Sequence, residues 1–188
     1  MGKQYDHLSK TLQTFVDKQH MFFVATAGAD GRVNVSPKGM DSLRILNPNR
    51  AVWLSVTGSG NETAAHVAEN GRMTVMFCAF EGRPMILRLY GSARVIHPRD
   101  DDWTELLSLF PEIPGTRQIF DLNFDLVQTS CGMAVPLYDF QGQRDDLIQW
   151  ADRKGDEGLK AYWTEKNQLS LDQNPTYLLT DSAVPVSK

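Results

Sequence analysis

The stretch that decides the fold is Phe22-Phe-Val-Ala-Thr-Ala-Gly-Ala-Asp-Gly-Arg-Val-Asn-Val-Ser-Pro-Lys-Gly39. Counted from Met21, its opening run to Ala27 is aromatic, β-branched or small, which reads as a strand. Gly28-Ala-Asp-Gly31 follows, and Asp-Gly accepts positive φ at low cost, so a hairpin turn is expected. Arg32 to Ser36 alternates polar and apolar and returns as the second strand. Pro37 has no N–H for a ladder, so the strand is expected to stop or bulge there, leaving Ser36 and Lys38 projecting from a fixed turn.

Upstream, Tyr5 to His20 carries Leu8, Leu12, Phe15 and Val16 at helical spacing. Downstream, Arg44 to Arg50 reads as a short strand or loop closed by Asn47-Pro-Asn49, and Ala51 to Thr57 as a strand. Gly58-Ser-Gly-Asn61 is a loop, and Glu62 to Glu69 a short helix ended by Asn70-Gly71. Arg72 to Phe80 is a strand, Glu81-Gly-Arg-Pro84 a turn, and Met85 to Ile96 a long strand. Six strands at short intervals with one inserted helix imply a mainly β (α+β) chain built on a six-stranded barrel, not a parallel α/β sheet. The second half predicts helices over Asp100 to Phe110, Leu147 to Ala151 and Gly158 to Lys166, with Trp150, Tyr162 and Trp163 as anchors. One more strand falls at Phe124 to Thr129, and Ala183 to Lys188 is a loose polar tail. The expected organisation is a barrel domain over 1–130 and a helical extension over 131–188 packed on it.

With 188 residues, 41% of them hydrophobic, the chain can bury a core without staples. Its net charge of −4 argues against bulk binding to nucleic acid or to an anionic membrane. Cys78 and Cys131 make no disulfide framework and no CxxC pair. His7, His20, His66 and His97 lie singly, which gives no metal motif. No apolar run approaches the roughly 18 residues of a membrane span. Met1 to His7 lacks the apolar core of a signal peptide, so the cytoplasm is the expected compartment.

Three segments could carry chemistry. Asn34-Val-Ser-Pro-Lys-Gly39 offers a hydroxyl and a cation, or else a plain strand end with a solvated lysine. Thr57-Gly-Ser-Gly-Asn-Glu-Thr63 joins a strand to a helix start, with backbone N–H groups and the hydroxyls of Thr57, Ser59 and Thr63 as donors. That is the physical form of a phosphate cradle, although it is neither a Walker A nor a Rossmann motif, and such loops also serve as connectors. Thr129-Ser-Cys-Gly-Met-Ala-Val-Pro136 places Cys131 beside a glycine. No companion histidine sits in a triad-like context, so a structural turn is the better reading than a nucleophile.

These segments in this order resemble the pyridoxamine 5′-phosphate oxidase-like family of FMN-binding split barrels. The resemblance runs from Phe22 to about Ile96 and rests on the hairpin above, Ala51-Val-Trp-Leu-Ser-Val-Thr-Gly-Ser-Gly-Asn-Glu-Thr63, Asn70-Gly-Arg-Met-Thr-Val-Met-Phe77 and Leu87-Arg-Leu-Tyr-Gly-Ser-Ala-Arg-Val95. Gln128 to Pro136 and Lys166-Asn-Gln-Leu-Ser-Leu-Asp172 look like a subgroup related to that oxidase. The resemblance implies a six-stranded split barrel, a homodimer and FMN between the subunits. The implied site takes Asn34, Val35, Ser36, Pro37 and Lys38 from the first segment. It takes Val56, Thr57, Ser59, Asn61 and Thr63 from the second, with Arg88 of the long strand beside them. Ser36 and Lys38 would meet the phosphate, and Val35 and Val56 would present backbone to the isoalloxazine ring.

The chain departs from the oxidase itself. Glu62-Thr63 stands where that enzyme has an Arg-Lys pair, and Tyr177-Leu-Leu-Thr180 stands near an end that lacks its closing tryptophan and arginine. The implied function is therefore an FMN-dependent oxidoreductase acting on a different small molecule, with no general acid or base evident. The alternatives are a non-catalytic module holding flavin, haem or F420, and a cofactor-free dimeric partner protein.

Overall fold

The computed structural model describes residues 2–180; the tail expected to be loose, Ala183 to Lys188, lies outside the described residues. The elements in chain order are β1 (Lys3–Tyr5), α1 (Lys10–Asp17), β2 (Phe22–Thr26), β3 (Asn34–Lys38), β4 (Leu43–Asn47) and β5 (Arg50–Val56). They continue with α2 (Glu62–Asn70), β6 (Arg72–Cys78), β7 (Ile86–Ile96), α3 (Trp103–Leu107), β8 (Thr116–Ser130) and α4 (Asp146–Lys166).

All pairings are antiparallel, in the order β3-β2-β6-β7-β8-β5-β4, with β1 added to the far end of β8. β8 is the spine. It pairs with β7 over almost its whole length and with β5 along its first half. A sheet of this length twists and curls, so strands that share no ladder meet. Phe22 of β2 and Trp53 of β5 have ring centroids 6.3 Å apart, and the Lys38 ammonium of β3 stands 5.3 Å from the centre of the Trp53 ring. Among the described residues β3 pairs only with β2, and β5 only with β4 and β8. The β3–β5 seam is thus closed by side chains alone, and the barrel is split.

The interior is filled by alternate residues of β2, β5, β6, β7 and β8, among them Val24, Trp53, Val75, Phe77, Leu89 and Phe120, with Leu8, Leu12 and Val16 closing in around α1. Each such side chain contributes about 1.5–3 kcal/mol on burial. On the outer face of β5 and β8, Val52, Leu54 and Ile119 pack under Leu106, Phe110 and Ile113 around α3.

The mainly β class holds, and the sheet has eight strands where seven were expected, six in the barrel and one at Phe124 to Thr129; the added one is β1. β1 takes Tyr5, the first residue expected to be helical, and α1 starts at Lys10 because Ser9 caps it, its hydroxyl accepting from the Leu12 N–H. β3 runs through Pro37 to Lys38, because an edge strand tolerates a residue that cannot donate. β8 begins at Thr116 rather than Phe124. α3 is five residues long, not eleven, and the two C-terminal helices are one element kinked at Gly155, whose φ is 62°. The Gly71 cap is in place, left-handed at φ 72°, with its N–H on the Val67 carbonyl.

Candidate functional site

Strand alternation turns Asn34, Ser36 and Lys38 toward the seam and Val35 and Pro37 away from it. The Asn34 amide donates to Thr63 Oγ1 at 3.1 Å and to Thr26 Oγ1 at 3.4 Å, and Thr26 Oγ1 lies 3.1 Å from His66 Nδ1. These bonds tie β3 to α2. Burial is the main cause that pushes the Lys38 ammonium down to about 8, and the charge of Arg117 adds to it. After Lys38 the chain turns through Met40 (φ 67°) and Asp41 (φ 51°), a strained pair for residues with side chains. Gln143 holds this turn, accepting from the Met40 N–H and donating to the His20 carbonyl.

The other wall is the Gly58–Gly60 loop and what lies beneath it. Arg117 is 4% exposed. Its Nη1 donates to the Gly60 carbonyl at 3.1 Å and to Asn167 Oδ1 at 2.8 Å, and its Nη2 reaches Ser55 Oγ at 3.4 Å. Burial depresses its guanidinium to about 10. The Asn167 amide also donates to the Gly58 carbonyl. Asn61, the residue before α2, does not cap the helix with its side chain; it trades hydrogen bonds with Gln118 at 2.6 and 3.4 Å. Glu62, the residue that departs from the oxidase, has its carboxylate close to Gly60 and engaged by the chain after α4. Both its carboxylate oxygens accept from the Leu171 N–H at 3.0 Å.

The seam is therefore rich in donors and poor in acceptors. No carboxylate contributes to the shift of Lys38 or of Arg117. Two buried donors, Trp53 Nε1 and Arg117 Nε, have no partner, and leaving a donor unpaired in this way costs about 1–3 kcal/mol. A site of this composition suits an anion that accepts several hydrogen bonds. Among the described residues no three or more His, Cys, Asp or Glu side chains gather in a way that could hold a metal ion.

The fold thus brings Asn34, Ser36, Lys38, Asn61 and Thr63 to one seam. Thr57 is there too, but its hydroxyl proton is committed to the Gly115 carbonyl at 2.8 Å while its oxygen accepts from Trp163 Nε1. Ser59 is exposed on the loop. Val56 packs against the outer cluster. Arg88 stands on the outer face and donates to Ser130 Oγ at 3.1 Å, apart from the seam. Cys131 is exposed beside a cleft at the α1 end of the barrel. Arg117 and Gln118 carry no expectation from the sequence, and Trp163, expected only as a helix anchor, and Asn167 were not expected at the site. The signal for the first two was the strict alternation Phe120-Asp-Leu-Asn-Phe-Asp-Leu126, which extends a strand back towards Thr116.

The fold is that of an antiparallel split barrel, and its seam is rich in cations. The family model described as pyridoxamine 5′-phosphate oxidase matches residues 8–131. The pyridoxamine 5′-phosphate oxidase family protein ustO of Aspergillus flavus is 40% identical over 190 residues, covering 91% of this chain and 76% of that protein. The chain belongs to the pyridoxamine 5′-phosphate oxidase family. Two solved structures share the fold. A Lactobacillus delbrueckii protein assigned as a pyridoxamine 5′-phosphate oxidase has a TM-score of 0.53 at 22% identity, over 65% of this chain and 94% of that one. A variant of HupZ from Group A Streptococcus has a TM-score of 0.51 at 16% identity, over 65% and 99%. No helix among the described residues is long and apolar enough to cross a membrane.

Proposed function

We propose that the seam binds the phosphate of FMN and that the protein is an FMN-dependent oxidoreductase working as a homodimer on a small molecule. The observation that carries this reading is the convergence of two desolvated cations, Lys38 over the Trp53 ring and Arg117 beneath the Gly58–Gly60 loop, with no carboxylate acting on either. Their mutual repulsion is unfavourable until an anion arrives, and a phosphate dianion relieves it. The residues present fit the group. Lys38 and Arg117 balance its charge, Ser36 and Ser59 offer hydroxyl protons, and the start of α2, free of a side-chain cap, adds backbone N–H groups. Bound FMN supplies hydride transfer at its N5.

The dimer reading rests on the outer face of β3. Val33 and Val35 are 72% and 60% exposed there, and Leu171 is exposed beyond the Arg32–Asp172 pair. An apolar strip of this kind on a free strand edge is suited to cover by a second copy.

Titration with FMN and with riboflavin tests the assignment. Each charge-assisted phosphate contact contributes about 1.5–3 kcal/mol, so FMN is expected to bind at least tenfold more tightly than riboflavin. Equal affinity for the two flavins sinks the phosphate site. Sedimentation is expected to give twice the 21.1 kDa chain mass with one FMN per chain, and a monomer holding stoichiometric flavin sinks the shared site.

A further inference from the structure

A second feature lies at the α1 end of the barrel, beside the seam. Residues 131–145 leave β8 as an irregular strap that crosses the openings of β2 and β6 before α4 begins. The strap is held by the Gln143 bonds, by the Tyr138 N–H on the Phe80 carbonyl at 3.0 Å, and by two ring stacks. His20 and Phe140 are parallel with centroids 3.6 Å apart, and Phe80 and Tyr138 stack at 5.3 Å. Between strap, α1 and the β6–β7 turn runs a cleft of about 1590 Å³. That volume exceeds the roughly 300–1,000 Å³ of an ordinary small-molecule pocket.

The lining has a definite character. Phe15, Phe80, Met85, Met133 and Phe140 supply apolar and aromatic surface. Around them stand five cations, Lys3, Lys18, Lys38, Arg83 and Arg144, against three carboxylates, Glu81, Asp139 and Asp146. The cleft is therefore net positive in a chain whose net charge is −4. One carboxylate, Asp146, is already near Arg144 at 4.0 Å, whereas Lys18 and Arg83 are exposed and have no carboxylate partner among the described residues. Lys38 belongs both to this cleft and to the seam, so the two are continuous.

We infer that the cleft is the substrate site and takes a bulky organic anion with a largely aromatic or apolar body and at least one acidic group. The stacked rings and methionines suit the body, and the unpaired cations at the rim suit the acid. The inference deepens the flavin reading and rests on it for the chemistry that follows binding, but not for binding itself.

The probe is 8-anilinonaphthalene-1-sulfonate, an apolar-bodied anion that fluoresces when shielded from water, with neutral N-phenyl-1-naphthylamine as its counterpart. Flavin content is measured separately by absorbance. The sulfonate dye is expected to bind one per chain, to FMN-loaded and flavin-free protein alike. It is expected to bind about tenfold more tightly than the neutral dye, the factor of one charge-assisted contact. Lys18→Glu with Arg83→Glu is expected to remove that preference and leave the neutral dye in place. Both side chains are exposed, so the fold does not depend on them. Phe140→Ala is expected to weaken both dyes, and Glu157→Gln, exposed on α4 and outside the cleft, neither.

Sulfonate binding that ignores the double charge reversal and Phe140→Ala overturns the site. Exclusion of the dye by FMN also overturns it, since the cleft would then seat the flavin ring. A charge reversal that turns a dimer into a monomer without touching dye binding overturns it in favour of a second copy. Loss of flavin with dye binding intact refutes the phosphate reading alone.

Discussion

The indole Nε1 of Trp163 donates to the hydroxyl oxygen of Thr57 over 2.8 Å, joining the end of α4 to the loop that follows β5 across 106 residues of sequence. The Thr57 hydroxyl donates in turn to the Gly115 carbonyl. The loop is thus fixed from one side by β8 and from the other by α4, and its N–H groups are held in place before any ligand arrives. Asn167, one turn further along, holds Gly58 and Arg117 in the same way.

Trp163→Phe keeps the ring and removes the donor. A hydrogen bond of this type contributes about 1 kcal/mol, so the thermal midpoint is expected to fall by roughly 2–4 °C. FMN affinity is expected to drop several-fold while the spectrum of the bound flavin is kept. A melt and a titration identical to the parent protein show that the loop needs no support from α4.

Asn167→Asp is nearly isosteric and puts a carboxylate on Arg117 Nη1, where the amide oxygen now accepts at 2.8 Å. The guanidinium is then neutralised from inside. FMN is expected to bind about tenfold more weakly, a change worth about 1.4 kcal/mol, and riboflavin is expected to be unaffected. A parallel loss for both flavins means that Asn167 acts on the loop and not on its charge.

Lys38 gives the site a pH dependence. Its pKa is lowered from 10.5 to about 8 by burial, so the folded chain carries a penalty for the buried charge below pH 8. That penalty is released as the pH rises from the folded value toward the unfolded one, because there the unfolded chain binds the proton that the folded chain has lost. Ligand binding runs the opposite way. Below pH 8 the ammonium is present to meet a phosphate, and above it each pH unit is expected to weaken FMN by up to about tenfold until the pKa of the complex is reached. Riboflavin affinity is expected to stay flat between pH 7 and pH 9, roughly the window that the Lys38 titration spans, and in Lys38→Ala the FMN curve is expected to become flat as well. A flat FMN curve in the parent protein removes Lys38 from the site.

Stability away from the site is centred on Asp121, 2% exposed on β8. Its carboxylate accepts from Arg50 Nε at 2.8 Å and Nη2 at 3.0 Å, and from Arg94 Nε at 3.1 Å. Arg94 continues to Asp102 at 2.5 Å. Asp121→Ala leaves two guanidinium groups without the acid between them. Breaking a fully buried pair costs about 3–5 kcal/mol, and the partial exposure of both arginines reduces that to roughly 2. The thermal midpoint is expected to fall by about 4–8 °C with flavin stoichiometry unchanged. A loss of flavin at low temperature would tie this network to the site instead.

Local chemistry was enough to read much of the molecule from the sequence. Asp30-Gly31 makes a hairpin whatever surrounds it, Gly71 ends α2 because it alone enters the left-handed region without strain, and Gly58-Ser-Gly joins strand to helix. Residues 22–96 also carry the resemblance that led to the family, and the Lys38 position was legible within it. What the sequence could not supply was the pairing of distant segments. Nothing near Arg117 marks it as a partner of Gly60 and Asn167, nothing near Glu62 says that its charge is spent on the Leu171 N–H, and nothing near Gln143 shows that it holds the turn after Lys38. Those relations exist only once β8 curls the sheet and brings α4 and the strap back over its two ends. A charge or a hydroxyl in sequence is only a capacity to bind. The tertiary fold decides whether that capacity is met by another part of the chain, as for Thr57, or left without a carboxylate partner among the described residues, as for Lys38, because desolvation and reach are set by packing and not by neighbours along the chain.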